Sequence, residues 1–144
     1  MIVGSASEEV TATPDLELKL PARAENVAVV RHAFGGFAEV LDVDEQTLAD
    51  IKLAVTEACT NVVIHAYEAG EPGSLEVDAT IDDGRLTVVI RDRGRGIVPR
   101  PDSPGLGLGL PLIATLAESL ELGTDDSDNT EVRMMFRIDE GLGK

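Results

Sequence analysis

The chain has 144 residues, 43% of them hydrophobic, the length of one domain with one moderate core. Its 27 acidic residues against 12 Lys and Arg leave a net charge of −15, which repels nucleic acid and anionic lipid and suits a basic partner surface. A single cysteine, Cys59, excludes a disulfide or CxxC metal site, and 3% aromatic content without tryptophan argues against a base-stacking platform.

Residues 1–13, rich in Ser, Thr and Glu, have no basic head and no continuous apolar run. They read as a frayed tail rather than a signal peptide or membrane span, which leaves residues 14–140 as a single domain and the cytoplasm as the default location. Leu16, Leu18 and Leu20 alternate with Glu17 and Lys19, a short half-buried strand closed by Pro21. From Arg23 to Leu41, Val27, Val30, Phe34, Phe37, Ala38 and Leu41 keep a helical period. Gly35 and Gly36 in its middle each cost about 1 kcal/mol against Ala, so either they admit a close backbone crossing or the helix bends there. Asp42, Asp44 and Glu45 offer caps and favourable charge for the next helix, Asp44 foremost.

That next helix is predicted through Lys52 to Tyr67. Leu48, Ile51, Val55, Ala58, Val62 and Ala66 form its apolar stripe, and Cys59 beside them reads as a small buried hydrophobe. Glu57 and Asn61, four residues apart, project side by side well round the cylinder from the stripe, with His65 one turn further. Such a pair on an outer face is ordinarily just solvated. A carboxylate beside an amide oxygen can also hold a hard divalent ion, orient water or accept a proton from an attacking hydroxyl.

Glu68 to Gly73 supplies the helix stop and a turn. Leu75, Val77, Ala79 and Ile81 then alternate with polar residues, Asp83-Gly84 makes a tight hairpin, and Leu86, Val88 and Ile90 resume the alternation. The second strand runs into Asp92-Arg-Gly94-Arg-Gly96-Ile97 and a punctuated loop with Pro99, Pro101, Pro104 and Gly105. Gly105 to Leu110 leads into a last helix, with Pro111 expected in its first turn and Leu110, Ile113, Ala117 and Leu120 on one side. A hairpin closes the chain: Leu120 and Leu122 in a short strand, Gly123 to Asn129 as an acidic loop, and Val132, Met134, Phe136 and Ile138 alternating. Together these predict an α+β sandwich of two layers, helices on one face of a mainly antiparallel sheet.

The glycine-rich segments match neither a P-loop nor a dinucleotide fingerprint, yet glycines before a helix leave backbone N–H groups able to approach an anion. Asp92 stands at a strand end where Gly94 and Gly96 remove bulk, so its carboxylate can accept from an exocyclic amine such as that of adenine. Alternatively it is an ordinary turn aspartate, and Thr130 is a second polar contact or simply a strand residue. His32 and His65 show no metal-ligand spacing, and no serine sits in a nucleophile elbow.

Glu57-x-x-x-Asn61-x-x-x-His65-Ala-Tyr67, then Asp92-x-Gly94-x-Gly96-Ile97, then Gly105-Leu-Gly107-Leu-Gly109-Leu with Pro111-Leu-Ile113, resembles in order and spacing the N box and the two glycine boxes of the GHKL (Bergerat-fold) ATPases. Within them the chain is most similar to the RsbW-type anti-sigma-factor serine kinases, over about Leu16 to Ile138. The resemblance implies a general base at Glu57 and, at Asn61, a ligand for the magnesium held by ATP phosphates. It implies adenine recognition by Asp92 supported by Gly96, within a box that includes Gly94 and Ile97. It implies an ATP lid carrying Gly105, Leu106, Gly107, Leu108 and Gly109. Thr130 occupies the place of the threonine in the last box, although Asn129 stands where that box has glycine. No basic residue is fixed as the phosphate partner; Arg93, Arg95 and Arg100 are nearby.

The same resemblance implies a homodimer that sequesters a sigma factor and phosphorylates a small STAS-type antagonist. Two rival expectations remain: an ATP-binding interaction module without kinase activity, and the detached ATPase part of a histidine kinase. The second ranks lower, because no upstream helical hairpin carries a phospho-acceptor histidine.

Overall fold

The computed structural model describes residues 13–67, 71–94, 106–124 and 129–138. Five strands form one sheet in the order β1-β2-β3-β5-β4, every neighbouring pair antiparallel: β1 (Leu16–Pro21), β2 (Ser74–Asp82), β3 (Arg85–Asp92), β4 (Ser119–Thr124) and β5 (Thr130–Arg137). Three helices pack on its apolar face: α1 (Ala24–Leu41), α2 (Glu45–Asn61) and α3 (Leu106–Leu116). The two-layer α+β sandwich expected from the alternation is what the chain forms.

Strand register explains which face is covered. Leu75, Val77 and Ala79 on β2 stand opposite Asp92, Ile90 and Val88 on β3, which stand opposite Thr130, Val132 and Met134 on β5. Since side chains alternate across a strand, these rows all point toward the helices. Leu75, Val77, Val88, Ile90 and Met134 close over Phe34, Ile51, Val55 and Val62, all at 0–1% exposure. Each such side chain contributes about 1.5–3 kcal/mol of transfer free energy on burial.

The other face carries the charged rows. There Arg91 donates through Nε to Glu131 at 2.7 Å and through Nη1 to Asp78 at 3.3 Å. Burial works against the guanidinium charge, but the two carboxylates outweigh it and leave its pKa raised.

Local signals set most boundaries. Asp44 caps α2, its Oδ1 accepting from the Thr47 N–H at 2.7 Å. Asp83 and Gly84 both take positive φ, 57° and 77°, the two-residue turn whose twist matches a hairpin. α1 runs unbroken through its glycine pair, and a Cβ on Gly36 would meet nothing within 4 Å, so no close crossing requires that glycine.

Three boundaries differ from expectation. α3 starts at Leu106, placing Pro111 in its second turn, where it cannot donate to the carbonyl of Gly107. Burial of Leu110, Ile113 and Ala117 holds this helix in place of intrinsic propensity. β4 continues through Gly123 and Thr124, because pairing with Glu131 and Thr130 outweighs the glycine's turn preference. The central helix stops being α-helical at Asn61, and Val62 to Ala66 form a π turn.

Candidate functional site

α2 lies between α1 and α3 on the sheet, so its buried band is wider than one stripe: Ala54, Cys59 and Asn61 join Ile51, Val55 and Ala58. Burial pushes the Cys59 thiol up to about 12, the behaviour of an inert core residue. Asn61 departs from the solvated outer face that its spacing suggested. It is 4% exposed, and α3 is the reason.

A Cβ on Gly109 would stand 2.7 Å from Asn61 Nδ2 and 3.1 Å from its Oδ1, so only glycine lets the helix backbone lie against this amide. The N box and the second glycine box therefore meet at one contact. Asn61 Nδ2 has no hydrogen-bond partner among the described residues. A buried amide left so costs about 1–3 kcal/mol, which a ligand that accepts from Nδ2 would recover. Glu57, one turn earlier on the same helix, is half-buried.

Asp92 occupies the last register position of β3, flanked by Leu75 on β2 and Thr130 on β5, and points to the helix side at 1% exposure. Its Oδ1 accepts from the Gly94 N–H at 3.0 Å. Thr130 is half-buried across the strand from it, and Asn129, in the place of the expected glycine, is 9% exposed. Three elements thus carry the polar residues singled out in the sequence: the end of α2, the end of β3 and the start of β5.

Of the remaining expected residues, Leu106, Gly107 and Leu108 fall in the first turn of α3. Gly96, Ile97, Gly105, Arg95 and Arg100 lie outside the described residues. Arg93 turns the other way from a phosphate partner: its Nε donates to Glu76 Oε2 at 2.8 Å, on the sheet face that carries Arg91.

One positioned residue went without a role in the sequence. Tyr67 ends the π turn in extended conformation, and its hydroxyl bonds to both β2 and the segment after β3. Its signal lay in Gly73 and Gly94, on which a Cβ would overlap the tyrosine ring. A cavity of about 860 Å³ between Lys19–Arg23 and Glu71–Ser74 lies beside this point, but neither Asn61 nor Asp92 lines it.

Among the described residues no group of three or more His, Cys, Asp or Glu could hold a metal by itself. The donors fit a different arrangement, in which a neutral amide oxygen shares a magnesium ion with phosphates and water. No helix of the described residues is long and apolar enough to cross a membrane.

A five-stranded antiparallel sheet with three helices on one face makes this an α+β domain, with a buried carboxylate, Asp92, at a strand end and a buried amide, Asn61, at the end of the central helix. Residues 20–136 match the family described as "Histidine kinase-like ATPase domain", and the chain belongs to that family. It is 33% identical over 130 residues to an anti-sigma F factor of Clostridium botulinum, covering 83% of this chain and 91% of that one. It is 35% identical over 140 residues to a serine-protein kinase RsbW of Halalkalibacterium halodurans, covering 87% and 85%. Its fold matches a crystal structure of the RsbU and RsbW domains of a Mycobacterium tuberculosis protein, with TM-score 0.69 at 23% identity over 88% of this chain and 33% of that longer one.

Proposed function

We propose that this domain is an anti-sigma factor with serine/threonine kinase activity. It binds Mg-ATP between α2, the end of β3 and α3, sequesters a sigma factor, and as a homodimer phosphorylates a STAS-type antagonist. The observation that carries the reading is the buried, unpartnered amide of Asn61 held against Gly109. The names of its relatives, an anti-sigma F factor and a serine-protein kinase, agree with it.

Each residue has a task that its position permits. Asp92 accepts from the exocyclic amine of adenine, and Thr130, its cross-strand neighbour, adds a hydroxyl on the same face. Asn61 would offer its amide oxygen to the magnesium that the ATP phosphates hold, and its unpartnered Nδ2 is free to donate to a phosphate oxygen. Magnesium, when bound there, neutralises phosphate charge and holds the oxygens in place. Glu57 takes the proton as the antagonist's hydroxyl oxygen bonds to the γ-phosphorus; the bond to the bridging oxygen breaks and ADP leaves with that electron pair. Positioning and charge do most of the work, so small displacements of these groups matter.

Asn61→Ala is expected to abolish magnesium-dependent ATP binding while the fold remains. Calorimetric titration with Mg-ATP checks it, and an unchanged affinity removes the metal assignment. Glu57→Gln keeps ATP affinity and lowers phosphotransfer by about 10²–10⁴-fold. The product separates the rivals: labelled γ-phosphate on an antagonist serine or threonine is acid-stable, on a histidine acid-labile, and none appears if the domain is a silent binding module. Failure to co-elute with any sigma factor of its own cell removes the sequestration half.

A further inference from the structure

We infer that Tyr67 is a positioning residue for the base end of this site, fixing Asp92 relative to Asn61; the inference rests on the Mg-ATP reading above. The phenol oxygen accepts from the Arg93 N–H at 2.8 Å and the Ser74 N–H at 3.1 Å, and donates to the Ser74 carbonyl at 2.8 Å. One donor and two acceptor positions are all that a phenol has, so the group is saturated. The ring lies where any side chain on Gly73 or Gly94 would overlap it, which fits the tyrosine between the start of β2 and the segment after β3.

From there the connection to Asp92 is short. Arg93 is held at its backbone by Tyr67 and at its side chain by Glu76, itself 5% exposed, and the next residue, Gly94, donates its N–H to Asp92 Oδ1. On the other side, Tyr67 is joined to Asn61 through the π turn of Val62 to Ala66. A π turn takes in one extra residue, which rotates every following side chain about 100° round the helix axis. Tyr67 then leaves the turn in extended conformation, with its phenol at the start of β2 and the segment after β3. The same peptide segment that presents Asn61 to the phosphates therefore pins the turn that orients Asp92 for the base. Loss of the hydroxyl alone should loosen base recognition and leave phosphate binding untouched.

The test compares Mg-ATP with Mg-ITP, which differs at the base amine that Asp92 accepts. The wild-type chain is expected to prefer ATP, and Tyr67→Phe, which keeps the ring between its glycines, to lose about tenfold in ATP affinity with ITP affinity unchanged. Equal losses for both nucleotides, which leave the ATP preference as it was, would reduce Tyr67 to a support of the fold and overturn the inference, as would an ATP affinity that does not change at all. No binding of Mg-ATP by the wild type, or no preference for it, sinks the underlying reading instead. If the phenylalanine variant does not fold, the chain's single tyrosine supplies a second measurement. With 3-fluorotyrosine incorporated, the one fluorine resonance is expected to shift further with Mg-ATP than with Mg-ITP, and equal shifts overturn the inference.

Discussion

Asn61 shows how one residue can be legible in chemistry and illegible in environment. Its spacing from Glu57 marked a possible ligand pair, but spacing on a single helix gives no information about a second helix lying across it. The glycine at position 109 held that information, because a backbone this close to an amide requires a missing Cβ. Gly109→Ala follows as a residue-scale prediction with opposed signs. The helix gains up to about 1 kcal/mol of propensity, yet the added methyl must push the Asn61 amide from its place. Mg-ATP affinity is expected to fall at least tenfold while the midpoint of thermal unfolding stays the same or rises. An alanine variant that binds ATP normally would show that the contact has no bearing on the ligand. Asp92 and Thr130 were readable as strand residues, but their pairing across β3 and β5 depends on register, which the long excursion through α3 and β4 hides from the sequence.

At the scale of elements, alternation and helical period located every strand and helix, and the Asp44 cap and Asp83-Gly84 turn followed from local chemistry. Failures came where tertiary contacts outweighed local preference: α3 forms through a glycine-rich entry and an internal proline because its apolar side has a core to fill. The π turn had no marker in the apolar period, and it is followed directly by Tyr67, whose hydroxyl bonds to strands distant in the chain. α1 offers a clean test of what remains. Gly36 is exposed, within a continuous helix, with open space where a Cβ would go. Gly36→Ala should therefore stabilise the fold by about 0.5–1 kcal/mol through helix propensity and the restricted unfolded chain. Urea unfolding measures it, and a destabilised variant would mean that α1 bends or is approached at that point after all.

For the molecule as a whole, one cluster of buried apolar side chains joins all three helices with β2, β3 and β5, and partly buried leucines of β1 and β4 pack against it. Cys59 lies inside that core at 0% exposure, so its thiolate can form only when the domain opens. An unfolded thiol titrates near its ordinary value of about 8.5, while burial holds the folded one up to about 12. The folded state thus keeps a proton that the unfolded state releases, and the sign is fixed: this contribution to stability is whole below about pH 8.5 and declines as pH rises toward the folded value. Other groups titrate in the same range, so the comparison must be made against Cys59→Val, which fills a similar volume without an ionisable atom. The stability of the wild type minus that of the valine variant is expected to fall by about 1.4 kcal/mol per pH unit between pH 9 and 10.5. A constant difference would place the thiol in contact with water through local opening of α2, and the helix that presents Asn61 would then not be the rigid support that the site requires.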